Sequence, residues 1–129
     1  SDAEYAALVR GAVAKRAGCD LLDTVDPTAL VGRWKSSIEY RHNEAFDYDF
    51  RDDGTYSMPL SFSGPTPNTW RIDGDHFIEH SWCPPAPEYD IHEPMDNIET
   101  YRCALLSDGR FAYWNGDASL VVFLNRVDG

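Results

Sequence analysis

Side chains suited to acid–base chemistry occur in one stretch of the chain, with a further histidine at position 80. These candidate catalytic residues are Tyr40, His42, Glu44, Tyr48 and His80. In a dry, aromatic cavity, a histidine and a carboxylate can have shifted pKa values and can move protons near neutral pH. A tyrosine hydroxyl could then hold a carbonyl or an oxyanion. We predict His80 and Glu44 as the acid–base pair, with Tyr40 and Tyr48 as hydrogen-bond donors.

Aromatic residues and one threonine would surround these groups. The predicted ligand-binding set, on the inner face near an open end, is Phe46, Phe62, Trp70, Trp82, Thr100 and Trp114. Aromatic walls with a few polar groups are equally typical of a plain ligand pocket. In that interpretation His42 and Glu44 are solvated residues of a turn. Both interpretations stay open at this point.

The chain begins with a helical pattern and continues with strand patterns. A stripe that includes Tyr5, Val9 and Val13 recurs at three- and four-residue steps, which predicts a helix over 3–17. Gly18 is a good stop for it, so the N-terminal helix unit spans 1–18. Short runs separated by turn residues follow. The predicted strands span 33–41, 44–51, 55–62, 68–73, 76–82, 98–106, 110–115 and 119–127.

These strands carry apolar residues on one side and charged or small residues on the other. In the second strand, Phe46, Tyr48 and Phe50 alternate with Asp47 and Asp49. This pattern indicates a sheet with one buried face and one wet face. The last strand is apolar on both sides, so we expect the N-terminal helix to cover its outer face.

Eight strands in this arrangement favour an all-β fold, an eight-stranded up-and-down antiparallel β-barrel over 30–127 with the N-terminal α-helix packed outside. Three tight glycine turns then lie at one end, the floor. The long connections 63–67 and 83–97 lie at the other end, the mouth, and we expect 83–97 to be a lid-like loop. An open, cone-like sheet wrapped around the helix is the alternative.

The fifth predicted strand could point either of its faces into the barrel. Ile78, His80 and Trp82 share one side, whereas Phe77 and Glu79 share the other. The predicted site requires the first of these faces to point inward, because His80 belongs to it.

Three short motifs resemble lipocalins and small bacterial lipocalin-like domains. They are the Gly-x-Trp opening in 30–34, the Asp-Gly-Thr-Tyr hairpin in 50–56 and the closing strand at 124–126. The resemblance implies a calycin-type barrel with one open end. It also implies that Trp34 plugs the floor and that Arg126 packs across it in a cation–π contact.

The composition argues against several classes of function. The chain has 129 residues, which predicts one domain over 1–129, and its 22 acidic and 11 basic side chains give a formal net charge of −11. A nucleic-acid binder needs a basic surface. No apolar run approaches the roughly 20 residues of a membrane span. No signal peptide is visible, which favours the cytoplasm. Export stays open as the alternative, because Ser1-Asp2-Ala3 could be a processed terminus.

The cysteines and the acidic loop leave alternatives open. A bridge between Cys83 and Cys103 is conceivable, and a reduced chain is the alternative. The loop contains Asp90, His92 and Glu93, but a single run of this kind does not specify the convergent ligands that a metal needs. We therefore predict no metal and no cofactor, and we interpret the loop as solvated.

Three functions are consistent with these features. The first is a barrel that binds a small, largely apolar or aromatic molecule in its open-end cavity. The second is a cofactor-independent enzyme on the same barrel, namely a cyclase, isomerase or lyase. The third is an acidic inhibitor or immunity-type module that binds a basic protein. In each case the chain could act alone or as a homodimer.

Overall fold

The computed structural model describes residues 1–37, 46–57, 68–83 and 85–127. Over these ranges it contains one α-helix, two 3-10 helices and eight β-strands. Helix α1 spans Asp2–Ala17, and the 3-10 helices span Pro27–Leu30 and Pro87–Tyr89. The strands are β1 Gly32–Ser36, β2 Asp47–Phe50, β3 Tyr56–Ser57, β4 Thr69–Asp73, β5 His76–Cys83, β6 Met95–Leu105, β7 Phe111–Trp114 and β8 Val121–Arg126.

The eight strands form one antiparallel sheet in the order β3-β2-β1-β8-β7-β6-β5-β4. The two outermost strands, β3 and β4, approach each other at one end. The backbone N–H of Tyr56 donates to the carbonyl of Asn68 over 3.0 Å, and that of Trp70 donates to the carbonyl of Gly54 over 2.9 Å. The sheet is therefore nearly closed into a barrel, which confirms the predicted architecture.

Helix α1 packs on the outside of this barrel. The Ser1 side chain caps its first turn by accepting a hydrogen bond from the N–H of Glu4. Gly18 ends the helix at a φ of 75°, a left-handed conformation that glycine adopts without strain. Val9 and Val13 are buried against the outer face of the sheet. No helix in the described ranges is both long and apolar enough to cross a bilayer.

Strand β8 shows why its sequence is apolar on both sides. Val122 and Leu124 belong to the cluster inside the barrel. Val121 and Phe123 belong to the cluster beneath helix α1. The expectation that the helix covers this strand is confirmed.

The floor of the barrel is closed by a tryptophan and an arginine. The guanidinium carbon of Arg126 lies 4.2 Å from the centroid of the Trp34 ring. The indole N–H of Trp34 donates to the carbonyl of Leu30 over 2.8 Å, and Arg126 donates to the carbonyl of Val31 over 2.8 Å. A Cβ at Gly32 would lie 2.5 Å from Nη1 of Arg126, so glycine permits this close approach. The cation–π contact implied by the resemblance is present.

Aromatic rings fill the interior beside the floor. Phe77 is fully buried and meets Phe50 and Phe111 edge-on, with ring centroids 5.8 and 5.7 Å apart. The Trp70 ring packs against Phe50 at 5.3 Å. This end of the barrel is therefore packed with side chains, and the polar groups of the interior lie further along the strands.

The connection predicted as a lid-like loop over 83–97 is partly strand. Strand β5 continues to Cys83 and strand β6 already begins at Met95, and these two residues pair. Between them, Ala86 and Ile91 form a bridge around the second 3-10 helix. All six residues over 95–100 are exposed. The role of a lid stays a prediction.

Cys103 faces the interior of the barrel. It is buried in the interior cluster and carries a free thiol, which excludes the conceivable bridge from Cys83. Burial raises the pKa of the Cys103 thiol to about 12. The group is therefore protonated and unreactive at neutral pH.

Candidate functional site

The register of strand β5 places a carboxyl group inside the barrel. Asp73 pairs with His76 across a two-residue turn, so Ile72 lies opposite Phe77 and Trp70 lies opposite Glu79. Because side chains alternate along a strand, Phe77 and Glu79 share the inner face. Glu79 is only 9% exposed.

The inner face around Glu79 is built by the two neighbouring strands and by β3. Trp70 of β4 and Glu99 of β6 are its direct partners in register. Tyr56 of β3 donates a hydrogen bond from its hydroxyl to Oε2 of Glu79 over 3.2 Å. Tyr56 and Trp70 are buried, whereas Glu99 is exposed. In this pair of carboxyl groups, Glu79 is therefore buried and Glu99 is open to solvent.

Three further tyrosines continue this polar interior. The hydroxyls of Tyr48 in β2 and Tyr113 in β7 lie 2.9 Å apart and share a hydrogen bond. Tyr101 of β6 packs against Tyr113 with ring centroids 4.9 Å apart. Tyr48 and Tyr113 are buried, and Tyr101 is partly exposed. Four tyrosines and Glu79, from five strands, thus share one interior; we call these five residues the Glu79 cluster.

Burial dominates the electrostatics of the Glu79 cluster. The pKa of Glu79 is raised to about 7, chiefly by burial and also by the neighbouring Glu99, although the hydrogen bond from Tyr56 lowers it. Burial also raises the pKa values of Tyr56, Tyr101 and Tyr113 above their ordinary range. Tyr56, Tyr101 and Tyr113 are therefore neutral hydrogen-bonding groups, and Glu79 can gain or lose a proton near neutral pH.

Such an arrangement can recognise a polar group or move a proton. The tyrosine hydroxyls can donate or accept hydrogen bonds. The Glu79 carboxyl can accept when ionised and donate when protonated. The rings of Trp70, Phe77 and Tyr101 supply apolar surface beside these groups.

Two of the predicted site residues belong to this interior site. Tyr48 is a member of the Glu79 cluster, and Trp70 is the register partner of Glu79. The indole N–H of Trp70 donates to the carbonyl of Arg51 over 3.0 Å, which fixes the ring near the floor rather than at the mouth. Phe46 is also buried in the interior cluster.

The inward orientation predicted for His80 is wrong. Its side chain is 43% exposed, and its Nε2 lies 3.2 Å from Oδ1 of Asp96 on the outer face of the β5–β6 hairpin. Trp82 lies two residues after His80 and so belongs to the same outer face of β5. Thr100 is exposed, and it pairs with Ile78, which also belongs to that face. These residues cannot line the interior, because alternation turns their side chains outward.

The inward orientation predicted for Trp114 is also wrong. Trp114 is buried beneath helix α1 with Ala104 and Ala112, on the outer face of the sheet. The inner positions of strand β7 are Phe111 and Tyr113. Four other predicted residues, namely Tyr40, His42, Glu44 and Phe62, lie outside the described residues.

Four members of the Glu79 cluster are absent from the predicted site, namely Glu79, Tyr56, Tyr101 and Tyr113. Glu79 lies on the face of its strand opposite to His80, the face that the predicted site leaves outside. The signal that identifies it is the two-residue turn Gly74-Asp75, which pairs Ile72 with Phe77 and so turns both inward.

The acidic loop does not assemble a metal site within the part of the chain that the structure describes. Nε2 of His92 lies 2.7 Å from Oδ1 of Asp90, and both side chains are largely exposed. Over the described ranges, no group of three or more His, Cys, Asp or Glu side chains could hold a metal ion. The contact between Asp90 and His92 is therefore a local, exposed pair within one turn of the loop.

A concavity with a volume of about 1060 Å³ lies outside the barrel between helix α1 and Trp114. Its two arginines already have partners. Arg102 donates to Asp75 over 2.7 Å, and Arg10 donates to the carbonyl of Leu22 over 2.5 Å. The interior around Glu79 is therefore a better candidate for a functional site than this outer concavity.

Comparisons with known proteins found no matching family model, no matching curated protein and no matching solved structure. The resemblance to lipocalins stays a prediction for this reason. The geometry of the Glu79 cluster is therefore the basis for a functional hypothesis.

Proposed function

We propose that this protein binds a small, largely aromatic molecule inside its barrel and holds the polar end of that molecule with the Glu79 cluster. The observation that carries the proposal is the convergence of four tyrosines and one carboxyl from five strands on one interior. Ligand sites of this kind combine apolar walls with a few convergent polar groups.

The experiment compares two probes that differ in one hydroxyl, 4-methylphenol and toluene. Titration is followed by calorimetry and by the fluorescence of Trp70 and the other tryptophans. We expect saturable binding of both, with 4-methylphenol bound about fivefold more tightly, since one hydrogen bond contributes roughly 1 kcal/mol. The variant Glu79→Gln should reduce this difference.

The matched control is His80→Gln, one position along the same strand. His80 lies on the outer face, so this variant should bind both probes as the wild type does. The proposal is overturned if neither probe binds saturably, or if the two glutamine variants change binding equally.

A second candidate function is proton transfer by Glu79. The supporting observation is a buried carboxyl with a pKa of about 7 that contacts the Tyr56 hydroxyl. A base of this kind works best when its pKa lies near the working pH. The acidic inhibitor hypothesis stays a prediction, because it rests on the net charge alone.

The probe for this second candidate is 5-nitrobenzisoxazole. A carboxylate that takes the proton from its C3 atom lets the N–O bond break, and the product is a coloured phenolate. We expect turnover above the buffer rate at pH 8 in the wild type and in His80→Gln, and its loss in Glu79→Gln. Equal rates in all three proteins would remove Glu79 as a base.

A further inference from the structure

We propose that the polar end of the ligand is a protonated amine, and that Glu79 and Glu99 hold it together. This inference rests on the proposed small-molecule binding and assigns the charge class of the ligand. It starts from the pairing of these two glutamates across β5 and β6 on one face of the sheet.

Two carboxylates in direct register normally repel each other. Side chains directly opposite in an antiparallel pair have Cβ atoms about 4.5–5.5 Å apart, and like charges there are destabilising. Among the described residues, the ion pairs include neither Glu79 nor Glu99. A cation placed between the two carboxylates would remove this repulsion.

The surroundings of the pair suit an organic cation. Trp70 is the other register partner of Glu79, and Tyr101 lies two residues from Glu99 on the same face. Tyr56 contacts Glu79 directly. Faces of tryptophan and tyrosine attract ammonium groups, which adds to the attraction of the carboxylates. The ligand's aromatic part would then pack on the rings beside them.

The neighbouring elements add no competing positive charge within the described ranges. The titratable groups that face Glu79 are Tyr56 from β3, Tyr48 from β2, Glu99 and Tyr101 from β6, and Tyr113 from β7. An anionic ligand would meet two carboxylates there. A metal ion would need a third ligand, and no group of three is present over these ranges. The amine is therefore the favoured class.

The test uses three probes with the same phenol ring and different end groups: tyramine, tyrosol and 4-hydroxyphenylacetate. They carry an amine, a neutral alcohol and a carboxylate, and binding is measured by calorimetry at pH 8. We expect tyramine to bind at least tenfold more tightly than tyrosol, and 4-hydroxyphenylacetate to bind most weakly. Glu79→Gln should bring tyramine and tyrosol to similar affinities.

Two further variants keep the test decisive if Glu79→Gln folds poorly. Glu99→Gln changes an exposed side chain and should reduce the preference for tyramine several-fold. Asp96→Asn removes a carboxylate on the outer face of the same hairpin and should leave the preference unchanged. A loss of preference in Asp96→Asn equal to that in Glu99→Gln would indicate net charge alone and would overturn the inference.

Proton release gives a second readout. At pH 6.5 Glu79 is mostly protonated, so binding of an ammonium group should expel a proton, which calorimetry in buffers of different ionisation enthalpy detects. Equal affinities for tyramine and tyrosol, or stronger binding of the carboxylate, would refute the amine and leave small-molecule binding standing. Failure of all three probes to bind would refute both proposals.

Discussion

Replacing Glu79 by glutamine should make the folded protein more stable at alkaline pH. Glutamine has nearly the same shape and can still accept a hydrogen bond from Tyr56, but it never carries a charge. Glu79 is 9% exposed, so its ionised form loses most of its hydration in the folded state. The variant removes that cost and keeps the packing.

The size of the effect follows from the pKa of Glu79. Its ordinary value is 4.5, and burial raises it to about 7 in the folded protein. The folded state therefore holds the proton at pH values where the unfolded chain has lost it, and stability falls as pH rises from about 4.5 to about 7. At about 1.4 kcal/mol per pH unit, the full cost is about 3 kcal/mol, of which about 2 kcal/mol arises between pH 5.5 and pH 8.

The assay is urea unfolding followed by circular dichroism at pH 5.5 and at pH 8. The lower pH stays above the isoelectric point of about 4.5. The advantage of Glu79→Gln over the wild type should grow by about 2 kcal/mol between these values. The control Glu93→Gln changes an exposed loop residue and should show no such growth. The same advantage at both pH values would refute the reasoning about Glu79.

Three other changes test the interior and the floor. Tyr48→Phe leaves the Tyr113 hydroxyl without its 2.9 Å partner and should lower the free energy of unfolding by about 1–3 kcal/mol in urea. In the Tyr48→Phe background, Tyr113→Phe should lower the free energy of unfolding by less than it does in the wild type. Equal losses in the two backgrounds would contradict the pairing. Gly32→Ala should lower Tm, because its Cβ would lie 2.5 Å from Arg126, and the loss should shrink in an Arg126→Ala background. Cys103 should resist iodoacetamide at pH 8 in the folded protein, as peptide mapping would show; rapid alkylation would contradict its burial.

The barrel could be predicted from sequence because short connections and alternation act together. Strand β8 illustrates this, since Val122 and Leu124 alternate with Val121 and Phe123. Only a strand covered on both faces needs such a sequence, and the N-terminal helix was available to cover it. The interior and outer clusters contain these residues as expected.

The facing of strand β5 could not be predicted from alternation alone. Ile78 and Trp82 make the His80 face the more apolar one, so simple hydrophobicity favours it as the inner face. The hairpin register decides otherwise, because a shift of one residue exchanges the two faces of a strand. The pairing of Ile72 with Phe77 across Gly74-Asp75 places Phe77 and Glu79 on the inner face.

The inward orientation predicted for Trp114 in strand β7 is wrong for a different reason. Phe111, Ala112, Tyr113 and Trp114 are all buried, so this strand has no polar side to mark its outer face. Large aromatic rings fit both the barrel interior and the groove beneath helix α1. Only the register with β6 and β8 assigns Tyr113 to the interior.

The tyrosine pair depends on an even longer-range property of the fold. Tyr48 and Tyr113 are 65 residues apart, and β2 and β7 are not neighbours in the sheet. Their hydroxyls meet only because the sheet curves into a barrel with a particular stagger of its strands. Alternation assigns each residue to a face, but it does not determine which side chains meet across the interior.

The Glu79–Glu99 pair is the point where local rules and the fold disagree most. Cross-strand pairing favours opposite charges, and burial favours apolar groups, yet β5 and β6 place two glutamates in register with one of them buried. Such conflicts lower stability, and in natural proteins they concentrate at functional sites. If the pair were merely tolerated, Glu79→Gln would stabilise the protein without changing any ligand affinity. If the pair binds an amine, the same substitution must exchange affinity for stability, so measuring both in one variant separates a structural defect from a binding site.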